Sequence, residues 1–232
     1  MSLLTIIQNV ALETGLSQSP TTVIGNQDVF VQKCLRLLTK LGKEITSRHD
    51  WQSLTKEQTF TTDGSGSYAR SAVFIDGDFE RYVNNTDWDR TNERKMQLVT
   101  QSEWQLLKSG VVSVAGINKY YRERQGSILI DPDTTGETLV FEYISKNWIT
   151  DSTGATYKAA FTADTDITVF PEYLLELGLE YRLKAGEGLP SVIEKEEFET
   201  ELDRNISYET PKRNLGRQYI RRTNLPDAGY GQ

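Results

Sequence analysis

QDVFVQKCLRLLTKLGKEITSRHD, residues 27–50, is the longest run of the chain that reads with a single period. Val31, Leu35, Leu38, Leu41 and Ile45, joined by Phe30, Cys34 and Leu37, recur every three or four positions, with Lys33, Arg36, Lys40, Lys43, Glu44 and Ser47 between them. The spacing predicts a helix with one wet stripe and a broad buried side. Asn26 is the expected N-cap, Asp28 suits the positive end of the helix dipole, and Arg48 and His49 suit the negative end. At ~1.5 Å per residue the rod is about 36 Å long, and the rest of the chain has to cover it.

Immediately before it, Ser2–Thr14 reads as an amphipathic helix capped by Ser2 and stopped by Gly15, with Leu3, Ile6, Ile7, Val10 and Ala11 on one face. After it the pattern changes to strands. EQTFTT, then Asp63-Gly64-Ser65-Gly66, then SYARSAVFID predicts two strands around a glycine turn. Thr100–Ser109 is a short helix with capping-box spacing at Thr100 and Glu103, its apolar contacts coming from Trp104, Leu106 and Leu107. Lys119–Arg124 and Ser127–Ile130 form a hairpin around Gln125-Gly126, and Glu137–Ile149 is the strongest strand. Along it Leu139, Phe141, Tyr143 and Ser145 face one way and Val140, Glu142 and Ile144 the other.

Helical periodicity returns at Pro171, placed at the first helical position, with Leu174, Leu175, Leu177, Leu179, Tyr181 and Leu183 over a wide arc. Ser191 caps a further helix to about Ile206, with a stripe of Phe198, Leu202 and Ile206 and strongly acidic other faces. The reading is therefore α+β: an antiparallel bundle of two N-terminal and two C-terminal helices (1–51 and 170–207), a β-rich insertion (52–169) and an extended basic tail (208–232).

Composition narrows the function classes. The 232 residues carry a net charge of −7. From Tyr208 onward five basic residues (Lys212, Arg213, Arg217, Arg221, Arg222) face two acidic ones (Glu209, Asp227), a net of +3 that leaves −10 on the preceding 207 residues. So acidic a body is a poor general binder of nucleic acid, whose affinity comes from phosphate neutralisation; it suits a wall past which DNA slides. No apolar run reaches the roughly 18 residues of a membrane span, and the start, MSLLTIIQNVALETG, has no basic leader. Folding in a cytoplasm, without a membrane anchor, is the expectation.

Signals for catalysis are weak. A nucleophilic device has only His49 to use, and a helix-terminal histidine is the plainer reading. The single cysteine, Cys34, lies on the apolar face and reads as a buried thiol. One Cys and one His offer no metal-ligand spacing, and no phosphate-cradling or dinucleotide glycine motif occurs. Asp76-Gly77-Asp78-Phe79-Glu80 lacks the rest of a calcium loop and reads as a solvated turn. Asp87-Trp88-Asp89, and Glu142 near Trp148, combine carboxylates with sugar-stacking aromatics, so a cell-wall glycan hydrolase is the alternative function. The four tryptophans, Trp51, Trp88, Trp104 and Trp148, fall near element ends, where they also serve as cover for the core.

Several short motifs carry a resemblance. Arg48-His49-Asp50-Trp51 closing a long second helix, Trp88-Asp89-Arg90, Ser102-x-x-Trp104, Glu142-Tyr143-Ile144-Ser145-Lys146-Asn147-Trp148 and Phe161-Thr162-Ala163-Asp164-Thr165-Asp166, then a Leu-rich helix ending near Arg182, are similar to the head-to-tail adaptor family of tailed phages. That family includes tail accessory factors and tail tubular proteins. The likeness covers about residues 2–206; beyond Tyr208 it is one of character only. It implies a structural virion protein of the neck, without enzymatic activity or cofactor, assembled in the host cytoplasm. Copies would form a homo-oligomeric ring, usually dodecameric, beneath the portal protein, extending the DNA channel and offering a platform to the next tail or nozzle protein. The C-terminal segment would attach to the portal, through Arg213, Arg217, Tyr219, Ile220, Arg221 and Arg222. Fully extended, the last 25 residues span about 80 Å. At the subunit interface, the basic stripe Lys33, Arg36, Lys40 and Lys43 is the expected partner of Glu194, Glu197 and Glu201 on the next copy. A solvated face, or pairing within one chain, is the alternative.

Overall fold

Ser2 accepts the Thr5 amide through its hydroxyl, and Gly15, in the left-handed region at φ 62°, closes the other end by donating to the Ala11 carbonyl at 3.1 Å; between them lies α1, Leu3–Thr14. The computed structural model describes residues 2–15, 18–74, 77–110 and 118–209. The long central helix, α2, runs Val29–Arg48. Its cap is Asp28, not Asn26: the Asp28 carboxylate accepts the Phe30 amide at 2.7 Å, while the Asn26 side chain is occupied by the Asp28 amide at 2.9 Å. Asn26 thus shapes the turn that presents the cap. His49 ends the helix with extended backbone.

A 3-10 turn, Gln52–Leu54, leads into β1 (Thr55–Thr61), then β2 (Ser67–Ala69), the single-turn α3 (Arg70–Val73), β3 (Phe79–Tyr82), β4 (Trp88–Asp89), β5 (Arg94–Lys95), β6 (Gln97–Leu98) and α4 (Gln101–Lys108). There follow β7 (Tyr120–Arg124), β8 (Ser127–Asp131), β9 (Thr138–Ser145), β10 (Ile149–Thr150), β11 (Tyr157–Lys158), β12 (Ile167–Thr168), α5 (Glu172–Gly186) and α6 (Val192–Glu209). The chain is α+β. Its sheets are ordered β1-β9-β4-β5 with β3 also on β9, β11-β10-β12, and β2-β8-β7-β6. All the registered pairs are antiparallel except β6 with β7.

Two compact units emerge: Met1–Lys56, Asp78–Arg81 and Tyr143–Glu209 form the first, and Glu57–Gly77 with Tyr82–Glu142 the core of the second. In the first, α5 packs on α1, α2 and α6. Gly178 makes the close approach possible, since a Cβ there would lie 2.6 Å from Leu41 and 2.9 Å from Phe198. Gly42 does the same for the Trp148 indole, which sits 2.2 Å from where a Cβ would be. Leu3, Ile6, Leu38, Leu41, Ile45, Leu174, Leu179 and Phe198 are fully buried here. The Phe161–Asp166 segment is an anchor. Its Asp164 carboxylate accepts the Val23 and Ile24 amides, and its buried Asp166 accepts from Thr162, Ala163 and Lys158.

The second unit is held by aromatic rings gathered around Phe141, with Phe60, Tyr82 and Tyr121 at centroid distances of 6.0, 5.6 and 5.2 Å. The β7–β8 hairpin turns through Gln125 and Gly126, both at positive φ, the two-residue turn that matches strand twist. Buried Lys119 is satisfied by the Pro132 carbonyl at 3.0 Å and by Glu137. The capping box of α4 is formed, with Trp104 buried.

Several expectations are corrected. β1 and β2 are not a hairpin: Asp133 accepts from the Gly66 amide and the Tyr68 hydroxyl, each at 2.6 Å, and turns β2 onto β8. Arg70–Val73 of the expected second strand is α3, and Ile75 and Asp76 lie outside the described residues. Leu106 is half exposed, at 50%, rather than a core contact. β9 stops at Ser145 and is buried on both faces except at Thr138 and Glu142, so its alternation does not mark an inside and an outside. Trp88 is 41% exposed and covers little. Pro171 is the N-cap of α5 rather than its first residue. Helix α6 continues through Glu209, beyond Ile206, so Tyr208 and Glu209 are helical rather than tail. The largest correction is at Asp78, read as part of a solvated turn but 1% exposed.

Candidate functional site

Charge on the exterior of the first unit follows from how α2 and α6 are buried. On α2 the apolar side is consumed by α5 and Trp148, so the remaining arc holds Lys33, Arg36, Lys40 and Lys43. Lys33 is paired within the chain, to Glu187 in the α5–α6 loop. Arg36, Lys40 and Lys43 are exposed and, among the described residues, have no ion pair. On α6, Phe198 and Leu202 point to the core, and the opposite side is acidic. Glu194 is paired with Lys184 at 2.6 Å, and Glu201 with Arg204 at 2.6 Å and the Asn205 amide at 2.9 Å. Glu196, Glu197 and Asp203 are exposed, with no ion pair among the described residues.

The expected set therefore divides. Lys33, Glu194 and Glu201 follow the alternative of pairing inside one chain; Arg36, Lys40, Lys43 and Glu197 are accessible. Glu196 and Asp203 complete the acidic face and were not singled out from sequence, although both lie in its acidic run. The expected portal-binding residues Arg213, Arg217, Tyr219, Ile220, Arg221 and Arg222 lie outside the described residues.

One cluster of ion pairs joins α2 to α5 and α6. Arg48 donates to Glu199 of α6 at 2.5 Å and to Glu44 at 2.5 Å, and Glu44 also binds Arg182 of α5. Burial pushes the Glu44 carboxyl up, but the guanidinium groups of Arg182 and Arg48 outweigh it and hold it below the usual range.

A buried polar centre that sequence did not announce lies around Asp78. Asp78 accepts from Lys56 at 2.6 Å, Ser145 at 2.7 Å and Tyr143 at 2.8 Å. Burial raises its affinity for a proton; the three donors prevail and its pKa falls below that of a free aspartate. With every donor directed at it, this centre ties Lys56 to β9 rather than presenting a reactive group.

The other candidates for chemistry are similarly occupied. His49 sets its ring edge-on to Trp51 at 5.4 Å, and its carbonyl accepts from Arg81 at 2.7 Å. Cys34 is fully buried, and burial pushes its thiol up to about 12. The Asp89 carboxylate accepts the Thr91 and Asn92 amides and the Asn92 side chain. Asp87 lines a shallow groove of about 520 Å³ with Asn84, Lys95, Gln97 and Tyr121. Glu142, half-buried on β9, accepts the Val83 amide through its carbonyl at 3.0 Å. Among the described residues no group of three or more His, Cys, Asp or Glu could hold a metal, and no helix is long and apolar enough to cross a membrane. No protein-family model and no curated protein matches this chain.

Proposed function

We propose that this chain is a structural assembly protein of the head-to-tail adaptor kind. Its helices would act as an antiparallel bundle carrying the β-rich segment as an insertion, with residues 208–232 as a portal-docking extension. Copies would ring the exit of the portal protein, extend the DNA channel and seat the next tail component. The observation that carries this reading is the pair of unpaired, opposite charge surfaces on a single unit: Arg36, Lys40 and Lys43 on α2, and Glu196, Glu197 and Asp203 on α6. A chain with both halves of a complementary contact, neither satisfied internally, is suited to head-to-tail association, which closes into a ring where the rotation allows. The acidic body supports a channel wall, because it does not hold passing phosphate.

Docking of residues 208–232 would spend roughly 1–2 kcal/mol per residue ordered, so attachment would rely on many copies binding together. The test is co-purification with the portal protein from the same source, full-length against a chain ending at Glu209. Loss of a defined high-mass complex on truncation is expected. Undiminished portal binding by the shortened chain would end the docking assignment.

A further inference from the structure

Trp148 carries the one tryptophan side-chain N–H that is buried without an acceptor among the described residues. The residue is 1% exposed, and its ring is fixed by Gly42 beneath it and by Phe161 and Phe170 at 5.3 and 6.0 Å. An orphaned buried donor is destabilising and rare in folded proteins, so the place where one occurs is a place where an acceptor is expected. Trp51 shows the ordinary outcome, its indole donating to the Ile45 carbonyl at 2.8 Å.

Trp148 lines a groove of about 420 Å³ with Lys43, Thr46, Glu80, Lys146, Ala159 and Ala160. Lys43 and Lys146 are exposed and, among the described residues, unpaired, unlike Lys33, Lys56, Lys158 and Lys184, which all have carboxylate partners. Two free ammonium groups on a groove that the Trp148 ring also lines, its N–H unsatisfied, select a carboxylate. The Thr46 hydroxyl is already spent on the Gly42 carbonyl at 2.9 Å.

The position of the groove decides whose carboxylate it is. Gly42 and Thr46 face the groove, whereas Glu44 and Arg48 face α5 and α6. At 3.6 residues per turn these two pairs lie about 160° apart around α2. The chain's own acidic helix is therefore on the far side of α2 and cannot supply the ligand, while the basic arc of Arg36, Lys40 and Lys43 runs between the two sides. On α6, Val192, Glu196, Thr200 and Asp203 recur at spacings of three and four on one open face, and Val192 is 69% exposed.

We propose that the Trp148 groove of one copy receives a carboxylate from the Glu196–Asp203 face of α6 of a second copy, with Lys43 and Lys146 as its counter-charges and the indole N–H as its donor. This rests on the reading that copies of the chain assemble, and adds the contact that orients them. A groove and a helix on opposite sides of one rod make a heterologous contact: each copy gives and receives once, and the series closes into a ring if the rotation allows. Because the indole N–H is shielded in the free chain, an incoming oxygen meets it only as the groove yields slightly, so that proton reports occupancy.

The test follows the four tryptophan indole cross-peaks of the ¹⁵N-labelled full-length protein from micromolar to millimolar concentration, with Trp148→Phe assigning the relevant one and light scattering giving the mass. The Trp148 peak is expected to move downfield as mass grows. Both changes should shift to about tenfold higher concentration in Lys43→Ala/Lys146→Ala and in Glu196→Gln/Glu197→Gln/Asp203→Asn, a loss of about 1.4 kcal/mol. Trp51 and Trp104 peaks in their wild-type positions confirm that each variant is folded. Mass growth with an unmoved Trp148 peak overturns the groove contact but leaves assembly standing. A peak constant at all concentrations, as for an indole bonded to a trapped water, overturns it too. A chain that stays monomeric throughout also overturns it, and the adaptor reading then stands or falls on the portal experiment alone.

Discussion

At the scale of one residue, Asp78 shows how much a single buried carboxylate can organise. Its three donors come from Lys56, Tyr143 and Ser145, positions distant in sequence, and the side chain has almost no contact with water. Asp78→Ala would remove the carboxylate that accepts from the Lys56 ammonium and from the Tyr143 and Ser145 hydroxyls. Losing hydrogen bonds to a charged acceptor costs about 1.5–3 kcal/mol, and urea unfolding should show it. The sign of the pH effect follows from the lowered pKa of the folded state. A depressed carboxyl contributes its stability above the unfolded value of about 3.9, and that contribution fades as pH falls through the folded value. The wild type should therefore lose stability below about pH 4 more steeply than Asp78→Asn, which has no proton to take up there. Parallel acid limbs in the two proteins would mean that the ionised form is not what the donors hold.

At the scale of the element, what could be read from sequence was what neighbouring residues decide among themselves. Ser2 and Gly15 bracket α1, Thr100 and Glu103 open α4, and Gln125-Gly126 turns the β7–β8 hairpin, each through contacts within a few residues. The fate of β2 was not readable, because Asp133, far along the chain, redirects it from β1 to β8. Nor was the Trp148 groove, since the missing acceptor of its indole is a property of packing and has no local sequence mark. Of the candidate interface, the α2 stripe was legible from period alone, but which of its lysines are already paired was not: Lys33 finds Glu187 only because α5 returns alongside α2. The start of α2 separates two readings of one turn. Asp28→Ala should cost about 1 kcal/mol, typical of a lost cap, and Asn26→Ala clearly less, since Asn26 supports the cap without meeting the helix amides itself. Equal shifts of the urea midpoint would mean that the turn and the cap are one cooperative device.

At the scale of the whole molecule the distribution of charge separates two jobs. The first 207 residues carry −10 and the remainder +3, so the net attraction for phosphate lies with the C-terminal segment. At most five cations are available there, which sets the slope of log affinity against log salt at no steeper than about −4.5 for duplex DNA. The full-length protein should therefore retard a duplex weakly at low salt and lose it by physiological salt. A chain ending at Glu209 should show no binding at any salt, because like charges repel and no basic surface on α2 is wide enough to follow a backbone past the acidic faces beside it. The comparison is a gel-shift or anisotropy titration of both chains against the same random-sequence duplex at several salt concentrations. Salt-dependent binding by the shortened chain would place a phosphate-holding surface on the body itself, and Arg36, Lys40 and Lys43 would then have to be read as a nucleic-acid contact instead of one half of an interface between copies.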